Sequence, residues 1–365
     1  MIAGTAGEAY FSHTYADAQR RFMDATRAAG TQVHSYTLGS AMPDALTIDV
    51  AVVGADHAPA LVVSSGVHGI EGFFGSAVQL ALLERLAGTS PQRNIRYVLI
   101  HGVNPFGFEH LRRVNEDNVD LNRNFVIKPG DYAGVPGGYA GLNGFLNPPC
   151  APSRFEPFRL KALWNIWRMG LQAVKDAVAG GQYEYPRGLF YGGAEPCAST
   201  RIVQDNCDAW LAASQHVVHI DLHTGLGAFA TPTLLLNESS DAQHYAWYAE
   251  TFDAGRVQSL AQPQGPAYRV SGTLGQWMQH HFNARDYRFV GAEFGTYDVI
   301  RVLAAIRAEN RAHHYCAKSD AAYLRTKKEL KECFCPASPD WRSKVVESAL
   351  RIIDQGAQAI SVRQK

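Results

Sequence analysis

"VVSSGVHGIEGFFG", residues 62–75, joins two kinds of chain. Its first half closes an apolar run of strand length, and its second half opens an apolar run of helical character. Gly66, Gly69 and Gly72 punctuate the join, with His68 and Glu71 set among them three residues apart. An imidazole nitrogen and a carboxylate oxygen make the mixed ligation that zinc accepts. Glycines at such a corner let the backbone bend sharply enough for both side chains to point one way. H-x-x-E alone is common by chance, and its plain alternative is a surface His beside a helix-capping Glu. The rest of the chain has to decide.

Outward from this corner, further apolar runs of strand length occupy 47–54, 60–66, 96–104, 216–225, 232–237 and 287–296. Several are rich in Val, Ile and Leu with little alternation, as expected of strands covered on both faces. Helical patterns fill 71–87, about 157–179, 200–213, 240–253 and 272–283. Strands alternating with helices predict an α/β sandwich around a mixed, mostly parallel sheet. Sites in such sheets gather beyond the carboxyl ends of the strands. Residues 129–153 and 180–196 are rich in Gly, Pro and aromatics and read as an ordered, loop-like lobe on the substrate side. Beyond about 298 the chain turns helical and charged, and those helices are expected at the sheet's edge.

The composition bounds the function. The chain has 365 residues with 34 basic and 34 acidic side chains, so no charge surplus points to nucleic acid. No stretch reads as a secretory leader and none approaches a membrane span, so the expected setting is the cytoplasm. Six scattered cysteines, at 150, 197, 207, 316, 333 and 335, read as reduced structural thiols. "GLGAFA" (225–230) matches a dinucleotide fingerprint, but a strand-like run follows it where a helix is required. G-x-S-x-G is absent, which disfavours a serine-hydrolase mechanism.

Three further segments bear on the corner. "HVVHIDLHTG" (216–225) ends a strong strand with His223; residues 219, 221 and 223 share a face if the strand stays regular. His219 reads as interior and His223 as the ligand at the rim. Two His and one carboxylate leave a coordination position open, the catalytic rather than the structural pattern. "RRVNEDNVDLNRNF" (112–125) supplies Arg113, Asn122 and Arg123 as a multi-donor clamp for a carboxylate or oxyanion, and Asp120 as acceptor for a ligating His. Its interleaved Val119, Leu121 and Phe125 pull the segment inward. "FVGAEFGTYD" sets Glu293 inside an apolar strand, where burial raises a carboxyl pKa toward the range of a general base.

Taken in order, these pieces resemble the zinc carboxypeptidase family and its relatives, the aspartoacylase and succinylglutamate desuccinylase group; more narrowly, a bacterial DUF2817-like branch. The resemblance covers roughly residues 45–310. It implies a three-layer α/β/α sandwich in a single metallohydrolase domain, with the lobe at about 129–196 and a helical extension at about 311–365. It implies one zinc ion on His68, Glu71 and His223. Asp120 would support His68, and Glu293 would be the general base. "DLNRNF" looks like the family's motif in which Asn122 and Arg123 hold the substrate's terminal carboxylate. "AYRVSGTLGQW" (267–277) is similar to the segment carrying a mobile substrate-binding tyrosine, here Tyr268. Arg113 lies where the family keeps a carbonyl-polarising arginine, and Arg112 is an equally close candidate. The position seven after Tyr268 is Gly275, from which no side-chain preference can be read.

The function expected is hydrolysis of an amide bond next to a free carboxylate, as in a carboxypeptidase, by metal-activated water. Deacylation of an N-acyl amino acid is the close alternative, and an amide-linked natural product or peptidoglycan fragment is a third. A binding protein with a vestigial metal site stands further off, since every expected position is filled. The expected partner is a peptide or small molecule with a free carboxylate, with no nucleic acid and no membrane.

Overall fold

The computed structural model describes residues 7–39, 46–88, 94–171, 174, 180–237, 242–259 and 271–362. Eight strands form one sheet: β1 (Val33–Thr37), β2 (Thr47–Val53), β3 (Ala60–Ser65), β4 (Arg96–His101), β5 (His216–Gly225), β6 (Pro232–Leu236), β7 (Val257–Ser259) and β8 (Asp286–Gly295). Their order is β1-β2-β4-β3-β5-β8-β6-β7. The central run β4-β3-β5-β8 is parallel, and the antiparallel pairings β1–β2, β2–β4 and β6–β8 flank it. From β3 the chain passes to β4 on one side, while β5 pairs on the other, so a topological switch point lies beyond β3.

Eleven helices are present among the described residues: α1 (Tyr15–Ala28), α2 (Gly72–Gly88), α3 (Pro105–Glu109), α4 (Tyr139–Leu146), α5 (Phe158–Met169), α6 (Ala198–Leu211), α7 (Ala242–Phe252), α8 (Leu274–His281), α9 (Val299–Tyr315), α10 (Ala321–Phe334) and α11 (Pro339–Val362). The pleat divides the core. On β3, Leu61 and Val63 face a layer built by α1, α2 and α11, while Ala60 and Val62 face α6 and α8. The result is a three-layer α/β/α sandwich. Helix α2 is buried on all sides through its first three turns, which is why its sequence is apolar all round rather than striped.

The expected strands end within three residues of the observed ones. The elements the sequence reading passed over are polar or short. Strand β1 is an edge strand with no fully buried residue, and β7 has three residues. Helix α1 buries only a narrow stripe, Tyr15, Ala18, Phe22 and Thr26, behind a Thr14 N-cap whose hydroxyl accepts from Asp17 N–H at 3.1 Å. Helix α4 interrupts the lobe that was read as loop.

The C-terminal helices correct a further expectation. They do not sit at the sheet's edge: α11 crosses its face over β3 and β5, with Gly356 close to Leu61, Val218 and Ile220. Hydrogen bonds fix this arrangement at the strand tips. Thr224 Oγ1 donates to Phe334 O at 2.6 Å, Thr296 Oγ1 to Cys333 O at 2.7 Å, and Trp341 Nε1 to Gly295 O at 2.9 Å. The last carbonyls of α10 thus find donors on β5 and just beyond β8. All six cysteines are free.

Candidate metal centre

The corner after β3 is a single 3₁₀ turn, Gly69–Glu71, with His68 just before it. Gly66 adopts φ +68°, a left-handed conformation that a side chain would strain. A Cβ on Gly69 would lie 2.1 Å from the Gly107 carbonyl carbon, so only glycine lets the turn press against α3. Two backbone bonds then lock the corner to the next segment: Gly69 N–H donates to Arg113 O at 3.1 Å and Ile70 N–H to Arg112 O at 2.8 Å.

Strands β5 and β8 bring the remaining residues. His223 and Glu293 are paired in register, and the pleat turns both side chains to one face. His68, Glu71 and His223 are all buried, and each offers a ligand atom within 4.8 Å of the others. Nδ1 of His68 lies 2.9 Å from Glu71 Oε1, and Nδ1 of His223 lies 3.0 Å from Glu71 Oε2. The opposite nitrogens face carboxylates. His223 Nε2 is 2.6 Å from Asp221 Oδ2, and His68 Nε2 is 3.3 Å from Asp120 Oδ1 and 2.6 Å from Arg113 Nη2. Asp221, accepting the Nε2 proton of His223, fixes the tautomer that leaves its Nδ1 free to ligate, whereas at His68 the Arg113 guanidinium, a donor only, lies closer to Nε2 than Asp120 does. The donor set therefore fits a divalent cation of zinc's kind.

Charge follows this geometry. Burial pushes the Glu71 carboxyl upward, but His68 and His223 outweigh it and hold it below the ordinary range. Asp120, also buried, is held well below its ordinary value by Arg113, His68 and Arg123. Glu293 goes the other way: burial, then the nearby Glu71 charge, raise it to about 7, against the Leu226 N–H that donates to its Oε1 at 2.8 Å.

A cavity of about 110 Å³ opens over the cluster, lined by His68, Glu71, Arg113 and Glu293 on one side and mostly by apolar side chains on the other. Arg112 and Arg113 separate here. Arg113 lines the cavity, with Nε 2.9 Å from Asp120 Oδ2, whereas Arg112 is buried away from it against Glu309 at 3.0 Å.

Asn122 and Arg123 do not line that cavity. Asn122 Oδ1 accepts the Leu274 N–H at 3.0 Å, capping the start of α8. Arg123 is buried, with Nη1 2.6 Å from Asn122 O. Tyr268 lies outside the described residues. A Cβ on Gly275 would fall within 2.4 Å of Asn237 and Phe289, so those two side chains occupy the space a larger residue would need.

Two contributors were not assigned a role from sequence. Asp221 holds His223 and is held by Ser64, whose Oγ donates to Asp221 Oδ1 at 2.6 Å and lies 2.7 Å from His219 Nε2. The shared face of residues 219, 221 and 223 was the available signal. Ser64 comes from the neighbouring strand, and no local pattern marks it. A second possible grouping, Cys207, Asp208 and His281, has two exposed members and a thiol that burial pushes to about 12, far from the thiolate a metal needs.

The DUF2817 family model, described as "Protein of unknown function (DUF2817)", matches residues 11–348. No curated protein matches in sequence. Among solved structures the chain is similar to carboxypeptidase A from Helicoverpa armigera, at 12% identity and TM-score 0.55, over 96% of this chain and 74% of that one. It is likewise similar to bovine thrombin-activatable fibrinolysis inhibitor, solved in complex with tick carboxypeptidase inhibitor, at 12% identity and TM-score 0.52, over 98% of this chain and 100% of that one. At these identities the likeness is one of fold.

Proposed function

The chain belongs to the DUF2817 family and has the carboxypeptidase fold, and on that footing we propose that it is a zinc-dependent hydrolase of an amide bond next to a free carboxylate. One observation carries the reading. Two buried imidazoles aim Nδ1 at one carboxylate, Asp221 holds Nε2 of His223, and Glu293, paired in register with His223, has its pKa raised to about 7.

His68, Glu71 and His223 would hold the metal. Zinc bound there would supply Lewis acidity, polarising a carbonyl and acidifying water. Glu293, ionised, takes the proton of the attacking water and passes it to the leaving nitrogen as the C–N bond breaks. Near-neutral basicity suits both transfers. Arg113, oriented by Asp120, donates to the oxygen on which negative charge develops. Asn122, Arg123 and Tyr268 are proposed to orient the carboxylate on the amine side. Of these, Asn122 and Arg123 lie in the Asp120-capped turn beside α8 rather than in the cavity wall.

The second reading, deacylation of an N-acyl amino acid, uses the same machinery. The small cavity, about 110 Å³, favours a compact substrate over a long peptide. Mass-spectrometric product analysis on zinc-loaded protein tests both readings. Short peptides and N-acyl amino acids are offered as free acids and as carboxyl-terminal amides. Cleavage of the acids alone supports the carboxylate requirement, and the released fragment tells peptidase from deacylase. Equal cleavage of acids and amides removes the carboxylate requirement, and no cleavage of any compound removes the hydrolase reading for these classes.

A further inference from the structure

Beyond Glu293 the cavity wall changes character. Leu226 leads away from the glutamate, and α9 presents Val302, Leu303 and Ile306 along one face. Phe334, at the end of α10, closes the floor: a Cβ on Gly225 would sit 3.0 Å from its ring. Phe190, from the loop at 180–196, covers the remaining side, with the Arg113 guanidinium carbon 5.5 Å from its ring centroid. Most of this wall comes from α9 and α10. Phe334 lies outside the span on which the family resemblance rests.

Among the described residues, the titratable groups lining the cavity are His68, Glu71, Arg113 and Glu293, and all four belong to the reacting centre. Among the described residues, no further cation in the lining could pair with an acidic substituent placed against α9. Burying an unpaired carboxylate there is strongly unfavourable. An apolar group gains instead, about fourfold in affinity per buried methylene. The size is also bounded: an apolar cavity of about 150 Å³ holds a benzene ring, and this one, at about 110 Å³, is smaller.

Of the residues proposed for the carboxylate, Asn122 and Arg123 lie in the turn at 120–123 beside the start of α8. The wall formed by α9 and α10 is therefore assigned to the other half of the substrate, the carbonyl side. We propose that this chamber receives a compact, uncharged aliphatic group attached to the scissile carbonyl, a short branched acyl group or an aliphatic side chain, and that Phe334 sets its depth. The proposal rests on the hydrolase reading and narrows it, because it excludes succinyl and other acidic acyl groups.

The test combines binding with turnover. Acetyl, isovaleryl, succinyl and octanoyl hydroxamates are titrated calorimetrically into zinc-loaded protein, and the same acyl groups, amide-linked to a mixture of amino acids, are assayed by mass spectrometry. The hydroxamate head is constant, so differences in affinity report the chamber. Isovaleryl is expected to bind at least tenfold tighter than acetyl and tighter than succinyl. Phe334→Ala is expected to improve octanoyl relative to isovaleryl at least tenfold, and Leu303→Trp to erase the isovaleryl advantage. The wild-type series stands even if a variant fails to fold. Succinyl binding as tightly as isovaleryl would overturn the proposal. Amide cleavage without acyl preference would overturn it and leave the hydrolase reading intact. Isovaleryl preference in binding with no amide cleaved would support the chamber and remove the hydrolase reading.

Discussion

Arg112 and Arg113 are adjacent in the chain yet belong to separate ion-pair systems: Nε of Arg112 lies 3.0 Å from Glu309, and Nε of Arg113 lies 2.9 Å from Asp120. The carbonyls of both accept from the turn that carries His68, so the backbone is shared and only the side chains diverge. Arg112 reaches into α9, where Lys327 also meets Glu309, at 2.6 Å. Arg113 reaches the cavity.

This divergence predicts two different phenotypes. Arg112→Met leaves Glu309 paired with Lys327 but strips hydrogen bonds from Glu309, Asn118 and Asn310, and is expected to cost on the order of 1–3 kcal/mol. Arg113→Lys keeps a positive charge near Asp120 and is expected to lower turnover about 10²–10³-fold, the usual loss for one oxyanion donor. Urea titration and steady-state rates on both variants separate the effects. Equal behaviour of the two would contradict the assignment.

Glu293→Gln is expected to retain zinc and lose turnover by about 10²–10⁴-fold. In the metal-free protein the carboxyl titrates near 7, raised by burial and by Glu71. Below that pH it is protonated and cannot accept the water's proton, so the rate falls toward acid. A cation on Glu71 offsets the negative charge that raises Glu293, which moves the acid limb of kcat/KM to 7 or lower. That limb should vanish from the residual activity of the glutamine variant. Near-normal turnover with metal bound would mean another group is the base.

Asp221→Asn should weaken zinc binding about 10–100-fold, because His223 loses the carboxylate that orients it. Ser64→Ala removes only the hydroxyl that positions Asp221 and should cost less. Competition with a chromogenic chelator measures both. Unchanged affinity in the asparagine variant would show that the carboxylate does not support the ligand.

His101 makes stability pH-dependent away from the site. It is buried, stacks on Phe22 with ring centroids 4.5 Å apart, and burial lowers its pKa from 6.5 to about 4. A depressed imidazole pKa favours the neutral form in the folded state. The unfolded chain therefore binds more protons, and stability is lost as pH falls from 6.5 toward 4, by up to about 3 kcal/mol. His101→Phe should flatten that part of the curve. Identical pH dependence of the urea midpoint between pH 7 and 4.5 in wild type and variant would refute this.

The sequence alone determined the sheet's central strands and the candidate ligands, and the reason is local. Strands such as β3 and β5 are buried on both faces, so their hydrophobicity is nearly continuous and stands out without tertiary information. His68 and Glu71 share one glycine corner, and the period-two pleat puts His223 on the face of residues 219 and 221. Even the unusual position of Glu293, a carboxylate inside an apolar run, is written in the chain.

Only the folded chain decided which of two adjacent arginines lines the cavity, because that choice depends on Glu309, almost 200 residues away. The same holds for Ser64 on Asp221 and for Phe334 on the cavity floor. Their partners lie on other strands or on helices far along the sequence, and a single residue carries no periodicity to announce them. The C-terminal helices read locally as packing on the sheet's edge, yet Thr224 and Thr296 accommodate the carbonyls of α10 at the strand tips and bring it into the cavity wall. Long-range satisfaction of backbone polar groups drew those helices inward, and that requirement is visible only once the strands are in place.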